Sequence, residues 1–281
     1  MTGKQAFDYL RHEIVIQGNA EGEASRTIRY IFEDLIGVAM TSDELLDSTQ
    51  MDKIFAIREQ ILQHIPWQYI CGSAPFYGYS LFVNKDVLIP RPETEELVHN
   101  ILSKIKTLKS PVILDVGTGS GAIALVLSLK RRDARVIAID VSEEALKVAK
   151  LNASKLNAQV TFSRFDFLDS SLWKNLPEAD VVISNPPYIT LSEINFMGKD
   201  VVIHEPHTAL FVRQEPMEFY SAIRDFVIFK RNPCLIAAEI NEFRAAEVKE
   251  VFSNSQFTET DIVHDMQGKE RMIFTKFHPE Q

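Results

Sequence analysis

The chain is poor in cysteine: Cys71 and Cys234 are the only two in 281 residues. That excludes a disulfide framework and a cysteine-rich zinc site, and it fits a reducing cytoplasm. It also lacks an excess of positive charge, carrying a formal net charge of -9. A protein that lives on nucleic-acid phosphates usually presents a basic balance, so no direct nucleic-acid partner is expected. No uncharged apolar run approaches the ~20 residues that cross a bilayer, so no membrane partner is expected. The opening "MTGKQAFDYL" has no charged-then-apolar leader pattern. The seven histidines fall into no nucleophilic triad. "HEPH" (His204 to His207) lacks the i, i+4 spacing of a helical zinc pair, and Pro206 opposes a helix there, so no metal is expected. What remains is an ordinary globular composition, 46% hydrophobic and 25% charged.

Apolar spacing divides this composition into regions. Up to residue 74 the period is helical: Phe7, Leu10 and Ile14; then Ile28, Ile31, Phe32 and Leu35, closed by Gly37; then Ile54, Ile57, Ile61 and Ile65. This predicts an N-terminal helical domain over 1–74. Residues 75–90 alternate apolar and aromatic side chains around Gly78 and Asn84, which predicts a hairpin linker. Pro92 and the acidic run that follows open a helix to about Ile105. From there to the end strands and helices alternate, beginning with "VILDV", "AIALVLSLKRR" and "RVIAID" and including a late helix over "NEFRAAEVKEVFSN". A parallel sheet covered on both faces is the fold this alternation predicts over 91–281. The last two strands, "FTETDIVHD" and "RMIFTKF", have a short connection through Gln267-Gly268-Lys269, so the final one runs antiparallel.

Two places carry chemistry. "ILDVGTGSGAIAL" sets Gly117, Thr118, Gly119, Ser120 and Gly121 between the first sheet strand and its helix. Glycines there let a ligand approach bare backbone at a helix N-terminus. Asp140 closes the next strand, where a carboxylate can accept from ribose hydroxyls. The spacing also fits a dinucleotide fingerprint, so the residues alone specify a nucleoside without naming it. The second place is "SNPPYI". Asn185 ends a core strand, and Pro186 and Pro187 cannot continue a sheet. Asn185 offers an amide carbonyl, and Pro186 a backbone carbonyl with no N–H beside it. A planar nitrogen with two hydrogens could give one to each, and Tyr188 supplies a flat face beside it. Such a corner works by positioning and electrostatics. Its plain alternative is a strand-ending turn.

These segments resemble known families. "LDVGTGSG" is similar to the loop of Rossmann-like S-adenosylmethionine methyltransferases, in which Asp140 would hold the ribose and Phe167 would lie by the adenine. The Asn-Pro-Pro-Tyr corner is shared by adenine-N6, guanine-N2 and glutamine-N5 methyltransferases, so a nucleic-acid amino methyltransferase is the alternative reading. "PWQYICGSAPFYGYSLFVNKDVLIPRPETEELV" and "HEPHTAL" resemble the release-factor glutamine-N5 methyltransferases, the HemK-like or PrmC family. That resemblance implies methyl transfer from S-adenosyl-L-methionine, leaving S-adenosyl-L-homocysteine, to the Gly-Gly-Gln glutamine of class-I peptide chain release factors. It implies that the helical domain helps recognise the release factor. It assigns Gly117 to Gly121, Asp140, Phe167 and Asn185 to the cofactor and Asn185, Pro186, Pro187 and Tyr188 to the glutamine, with Asn185, Pro186 and Tyr188 catalytic. Arg91 to Glu95 would lie near the cofactor's methionine end. A monomer is expected. Two departures stand out: Glu239-Ile240-Asn241 replaces an acidic-apolar-glycine turn, and "KRNPC" replaces a glycine pair.

Overall fold

A computed structural model describes residues 1–280. Contacts group them into two compact units: 1–74 with 83–85 and 197–204, and the rest of the described chain.

In the first unit, α1 (Gly3–Ile16), α2 (Glu21–Ile31), α3 (Ser48–Leu62) and the short α4 (Trp67–Cys71) follow in order. Thr2 and Asp47 start α1 and α3 as reciprocal caps with Gln5 and Gln50, each satisfying donors that a bare helix end leaves open. Leu10, Ile28, Ile31, Ile54, Ile57 and Ile61 are buried together, at the positions the periodicity gives. Two details differ from the periodic expectation. After Ile31 the chain winds as a π-turn over Phe32–Ile36, so Ile36 is buried where the α-period selects Leu35. α3 stops at Leu62, and His64 takes a left-handed φ of 59°, which leaves Ile65 outside the helix.

A hairpin, β1 (Ser73–Phe76) and β2 (Tyr79–Phe82), turns through Tyr77 and Gly78, and from Pro75 to Phe82 it belongs to the second unit. Both turn residues have positive φ, 50° and 80°, the geometry that matches the twist of two-residue hairpins. Then come α5 (Pro92–Lys104), β3 (Val112–Val116), α6 (Ala122–Lys130), β4 (Arg135–Asp140), α7 (Glu143–Leu156), β5 (Val160–Arg164) and β6 (Val181–Ser184). α8 (Lys199–His204), which groups with the helical unit, and α9 (His207–Leu210) are short; α10 (Glu218–Lys230), β7 (Cys234–Glu239), α11 (Ala245–Val251), β8 (Phe257–His264) and β9 (Glu270–Phe277) complete the chain. The helix expected over "NEFRAAEVKEVFSN" begins only at Ala245, because the Asn241 carboxamide accepts from the Phe243 N–H and bends the chain first.

The seven sheet strands lie in the order β5-β4-β3-β6-β7-β9-β8. All neighbours are parallel except β9, which is antiparallel to β7 and β8. Alternation along the strands separates two cores. Leu114, Val182, Ile236 and Ile273 pack with Tyr220, Ile223 and Phe226 of α10 and Val248 of α11. Ile113, Val181, Ala237 and Met272 pack with Leu97 and Ile101 of α5 and Leu125 of α6. Burial on both faces explains why these strands read as continuous apolar runs. The order reverses between β3 and β6, and a crevice opens at such a switch point beyond the carboxyl ends of the strands.

Candidate active site

The switch point puts the two chemical segments side by side. Val116 pairs with Ser184 at the ends of β3 and β6, and the Ser184 hydroxyl donates to the Val116 carbonyl at 2.7 Å. Gly117 and Asn185 are therefore the next residues on adjacent strands. They share a cleft with Gly119, Ile139, Asp140, Phe165, Phe167 and Pro187. Gly117, Gly119 and Gly121 all have left-handed backbones, with φ of 75°, 54° and 86°. A Cβ added to Gly117 or Gly119 would meet no atom within 4 Å, whereas at Gly121 it would come within 3.0 Å of Leu125 and 3.2 Å of Ala149. The first two keep space open in front of the loop, and the third lets α6 close on α7.

Asp140 is held by backbone. One oxygen accepts from the Gly119 N–H and the other from the Ser142 N–H, each at 2.9 Å. Burial pushes its carboxyl above the usual range, and those N–H groups oppose the shift. Each oxygen keeps a further lone pair for a diol. Ile139, Val141, Ala145, Phe165 and Phe167 give the same cleft an apolar wall for a flat base. A carboxylate for a ribose, bare backbone for a chain and an apolar slot for a base fit S-adenosylmethionine. Thr118, Ser120 and Gly121 face elsewhere. The Thr118 hydroxyl donates to buried Asp115 at 2.6 Å, and the Ser120 carbonyl accepts from Asn152 at 3.0 Å. Phe167 belongs equally to the core, packed 5.3 Å from Phe226 and 5.9 Å from Trp173 between ring centres.

At the corner the Asn185 side-chain NH2 donates to the Thr94 hydroxyl at 3.0 Å. Thr94 sits in the first turn of α5 and in turn donates to Glu239 Oε2 at 2.7 Å. The Tyr188 hydroxyl donates to Glu239 Oε1 at 3.2 Å. Glu239, the last residue of β7, is 2% exposed. Burial pushes its carboxyl up to about 7, against the pull of Thr94, Arg271 and Tyr188. Burial first, then the nearby Glu239 charge, also raises the Tyr188 phenol. Pro186 is buried, and Pro187 lies on the cleft wall.

Of the segment Arg91 to Glu95, Thr94 meets Asn185, and Arg91, the N-cap residue of α5, forms an ion pair with buried Glu205, whose other oxygen accepts from the Ile89 N–H at 3.1 Å. His204 meets the Gln63 carbonyl at 2.8 Å, and His207 stands edge-on to Phe211. The two departures are accommodated locally. Arg231 itself adopts the left-handed φ of 55° that a glycine would take, and Asn241 donates to Glu193 at 3.2 Å. Sequence reasoning placed Thr94 only within a segment and saw Glu239 only as part of a departure. Their meeting is long-range, and no local spacing signals it.

Comparison with known proteins agrees with this geometry. The methyltransferase small domain model matches residues 94–211. The release factor glutamine methyltransferase of Bacillus subtilis is 37% identical over 87% of this chain and 89% of its own. The enzyme of that name from Streptococcus pneumoniae is 35% identical over 96% of each. Among solved structures, the hMettl16 catalytic domain bound to an MAT2A 3'UTR hairpin superposes with a TM-score of 0.58, at 14% identity over 89% of each chain, and attests the shared fold alone. On the strength of this near full-length identity, the chain belongs to the release factor glutamine methyltransferase family.

Proposed function

We propose that the protein methylates the side-chain amide nitrogen (N5) of the glutamine in the Gly-Gly-Gln motif of class-I peptide chain release factors, in the cytoplasm. The observation that carries this reading is the corner on the wall of the nucleoside cleft. There Asn185 commits its NH2 inward to Thr94 and keeps its carbonyl oxygen for a ligand. Gly117, Gly119, Asp140 and the Phe165–Phe167 wall would hold S-adenosylmethionine, which when bound would supply an electrophilic methyl on a sulfonium.

An amide nitrogen is a poor nucleophile because its lone pair is shared with the carbonyl. The Asn185 oxygen and the Pro186 carbonyl each accept one of its two N–H bonds. These acceptors stabilise the charge that develops on nitrogen and hold the lone pair out of conjugation as the N–CH3 bond forms and the S–CH3 bond breaks. The S–CH3 bonding pair would remain on sulfur, leaving a thioether, and the nitrogen would shed one of its two protons to solvent. Tyr188 stacks on the flat amide, and the double proline keeps the corner rigid, which matters where an error of about 1 Å costs about a hundredfold. The helical segment 1–74 would help recognise the release factor.

The test is mass spectrometry of a release factor after incubation with the protein and labelled S-adenosylmethionine. One added methyl on the Gly-Gly-Gln glutamine is the expected result. Label found only in DNA or RNA offered in parallel would refute the assignment.

A further inference from the structure

The Asn185 amide can work on a substrate NH2 only if its oxygen, and not its own NH2, faces outward. The two ends of a carboxamide are nearly equal in size, so shape alone does not choose between them. The hydrogen-bond chain behind the corner does choose. A threonine hydroxyl has one proton. Thr94 gives it to Glu239 Oε2 at 2.7 Å, so toward Asn185 it can only accept, and it takes the Asn185 NH2 at 3.0 Å. The second Glu239 oxygen accepts from Tyr188 at 3.2 Å. One buried carboxylate thus orders two members of the corner from behind, and its own backbone carbonyl is held by the buried Tyr220 hydroxyl at 2.9 Å.

We propose that Thr94 and Glu239 are positioning residues that set the direction of the Asn185 amide, so that the corner presents acceptors only and selects a nitrogen bearing two hydrogens. This rests on the methyl-transfer reading above. The chain of donors runs Asn185 to Thr94 to Glu239, and it depends on Glu239 being a carboxylate. Protonated Glu239 would donate to Thr94, Thr94 would donate to the Asn185 oxygen, and Asn185 would turn its NH2 toward the substrate. Two NH2 groups would then face each other. The groups around Glu239 bear on that balance from every side: Glu93 and Thr94 on α5, Tyr188 at the corner, Tyr220 on α10 and Arg271 on β9. Burial raises its carboxyl to about 7, and Arg271 and the two hydroxyls hold it from going higher. Acceptor polarity is therefore present above neutral pH and is lost as pH falls below it.

The experiment compares Thr94→Val, Thr94→Ser and Glu239→Gln with the wild type on a release factor. Thr94→Val keeps the side chain's shape and removes the hydroxyl. It is expected to lower kcat tenfold or more while the affinity for S-adenosylhomocysteine, measured by calorimetry, stays within twofold. Thr94→Ser restores the hydroxyl and returns kcat to within about threefold of wild type. In the wild type kcat declines on the acid side of neutrality, and Glu239→Gln flattens that limb. A readout without turnover is the Asn185 side-chain NH2 resonance, which should shift with the titration of Glu239 in the wild type and cease to do so in Thr94→Val. A Thr94→Val protein with wild-type kcat, or a Thr94→Ser protein as impaired as Thr94→Val, overturns the positioning role. A wild type that binds S-adenosylhomocysteine but leaves the glutamine unmethylated overturns the substrate reading instead, and an NH2 resonance indifferent to Glu239 then overturns this one as well.

Discussion

Two glycines of one loop should fail in different ways when each gains a methyl group. Gly119 has φ of 54°, a left-handed conformation that costs an L-residue about 1–2 kcal/mol. No atom lies within 4 Å of a Cβ built there, so Gly119→Ala adds strain without a clash. The new methyl stands on the wall of the cleft, in space a cofactor would use. Gly121 has φ of 86° and a Cβ position 3.0 Å from Leu125 Cδ1 and 3.2 Å from Ala149 Cβ. Leu125 can turn its terminal methyl, but Ala149 has no rotamer to change, so α7 must shift. Overpacking of that kind costs about 1–3 kcal/mol on top of the strain. Gly121→Ala should therefore lose about 2–5 kcal/mol of stability, read from urea denaturation, while its folded fraction still binds S-adenosylhomocysteine. Gly119→Ala should lose no more than about 2 kcal/mol of stability but at least tenfold in affinity by calorimetry. Equal stability losses in the two variants, or unchanged affinity in Gly119→Ala, would refute the assignment of one glycine to the ligand and the other to helix packing.

Three further outcomes follow from the same geometry. Asn185→Ala should keep affinity for S-adenosylhomocysteine within about tenfold, roughly 1.4 kcal/mol, yet lose most methyl transfer; unchanged turnover would remove Asn185 from the chemistry. Phe167→Ala should destabilise the fold by about 3–5 kcal/mol, because Phe167 is only 3% exposed against Trp173 and Phe226; a loss of cofactor affinity with no change in denaturation midpoint would contradict this. The Glu239 carboxyl is raised from 4.5 to about 7, so the folded state holds its proton more tightly than the unfolded state does. Its stabilising contribution is complete below the unfolded value and is lost as pH rises toward about 7, by roughly 3 kcal/mol. The wild type minus Glu239→Gln stability difference should therefore fall between pH 4.5 and 7, opposite in direction to the gain in turnover, and a flat difference would show that the carboxyl is not shifted.

Much of the fold was legible because its signals are local. The sheet strands announced themselves as apolar runs since both faces are covered, and the glycine loop and Asp140 lie within one strand–helix–strand unit. Chain breaks were legible where a backbone demand meets a permissive residue, as at Gly37 and Gly78. The misses are places where the chain departed locally from the pattern. A π-turn exchanged Ile36 for Leu35 in the helical core, and the Asn241 side chain bent the chain before α11 could start. Arg231 took a left-handed conformation with no glycine to advertise it.

The site divides along the same line. The half proposed to hold the cofactor is a contiguous device, and Gly117, Gly119 and Asp140 on its wall lie within one strand–helix–strand stretch. The half proposed to be catalytic is assembled from a helix start, a strand corner and a strand end: Thr94, Asn185 to Tyr188, and Glu239. Each of these looks ordinary in its own segment. Thr94 reads as a polar residue in an acidic first turn, and Glu239 as the end of an apolar strand. Their chemistry exists only because β6 and β7 are parallel neighbours and α5 packs over β7, with Leu97 and Ile101 in the same core as Ala237. That packing buries a carboxylate behind the corner, and the carboxylate gives direction to an amide whose two ends are otherwise interchangeable. The sheet order therefore does more than open a crevice: it decides which atom of Asn185 the crevice contains.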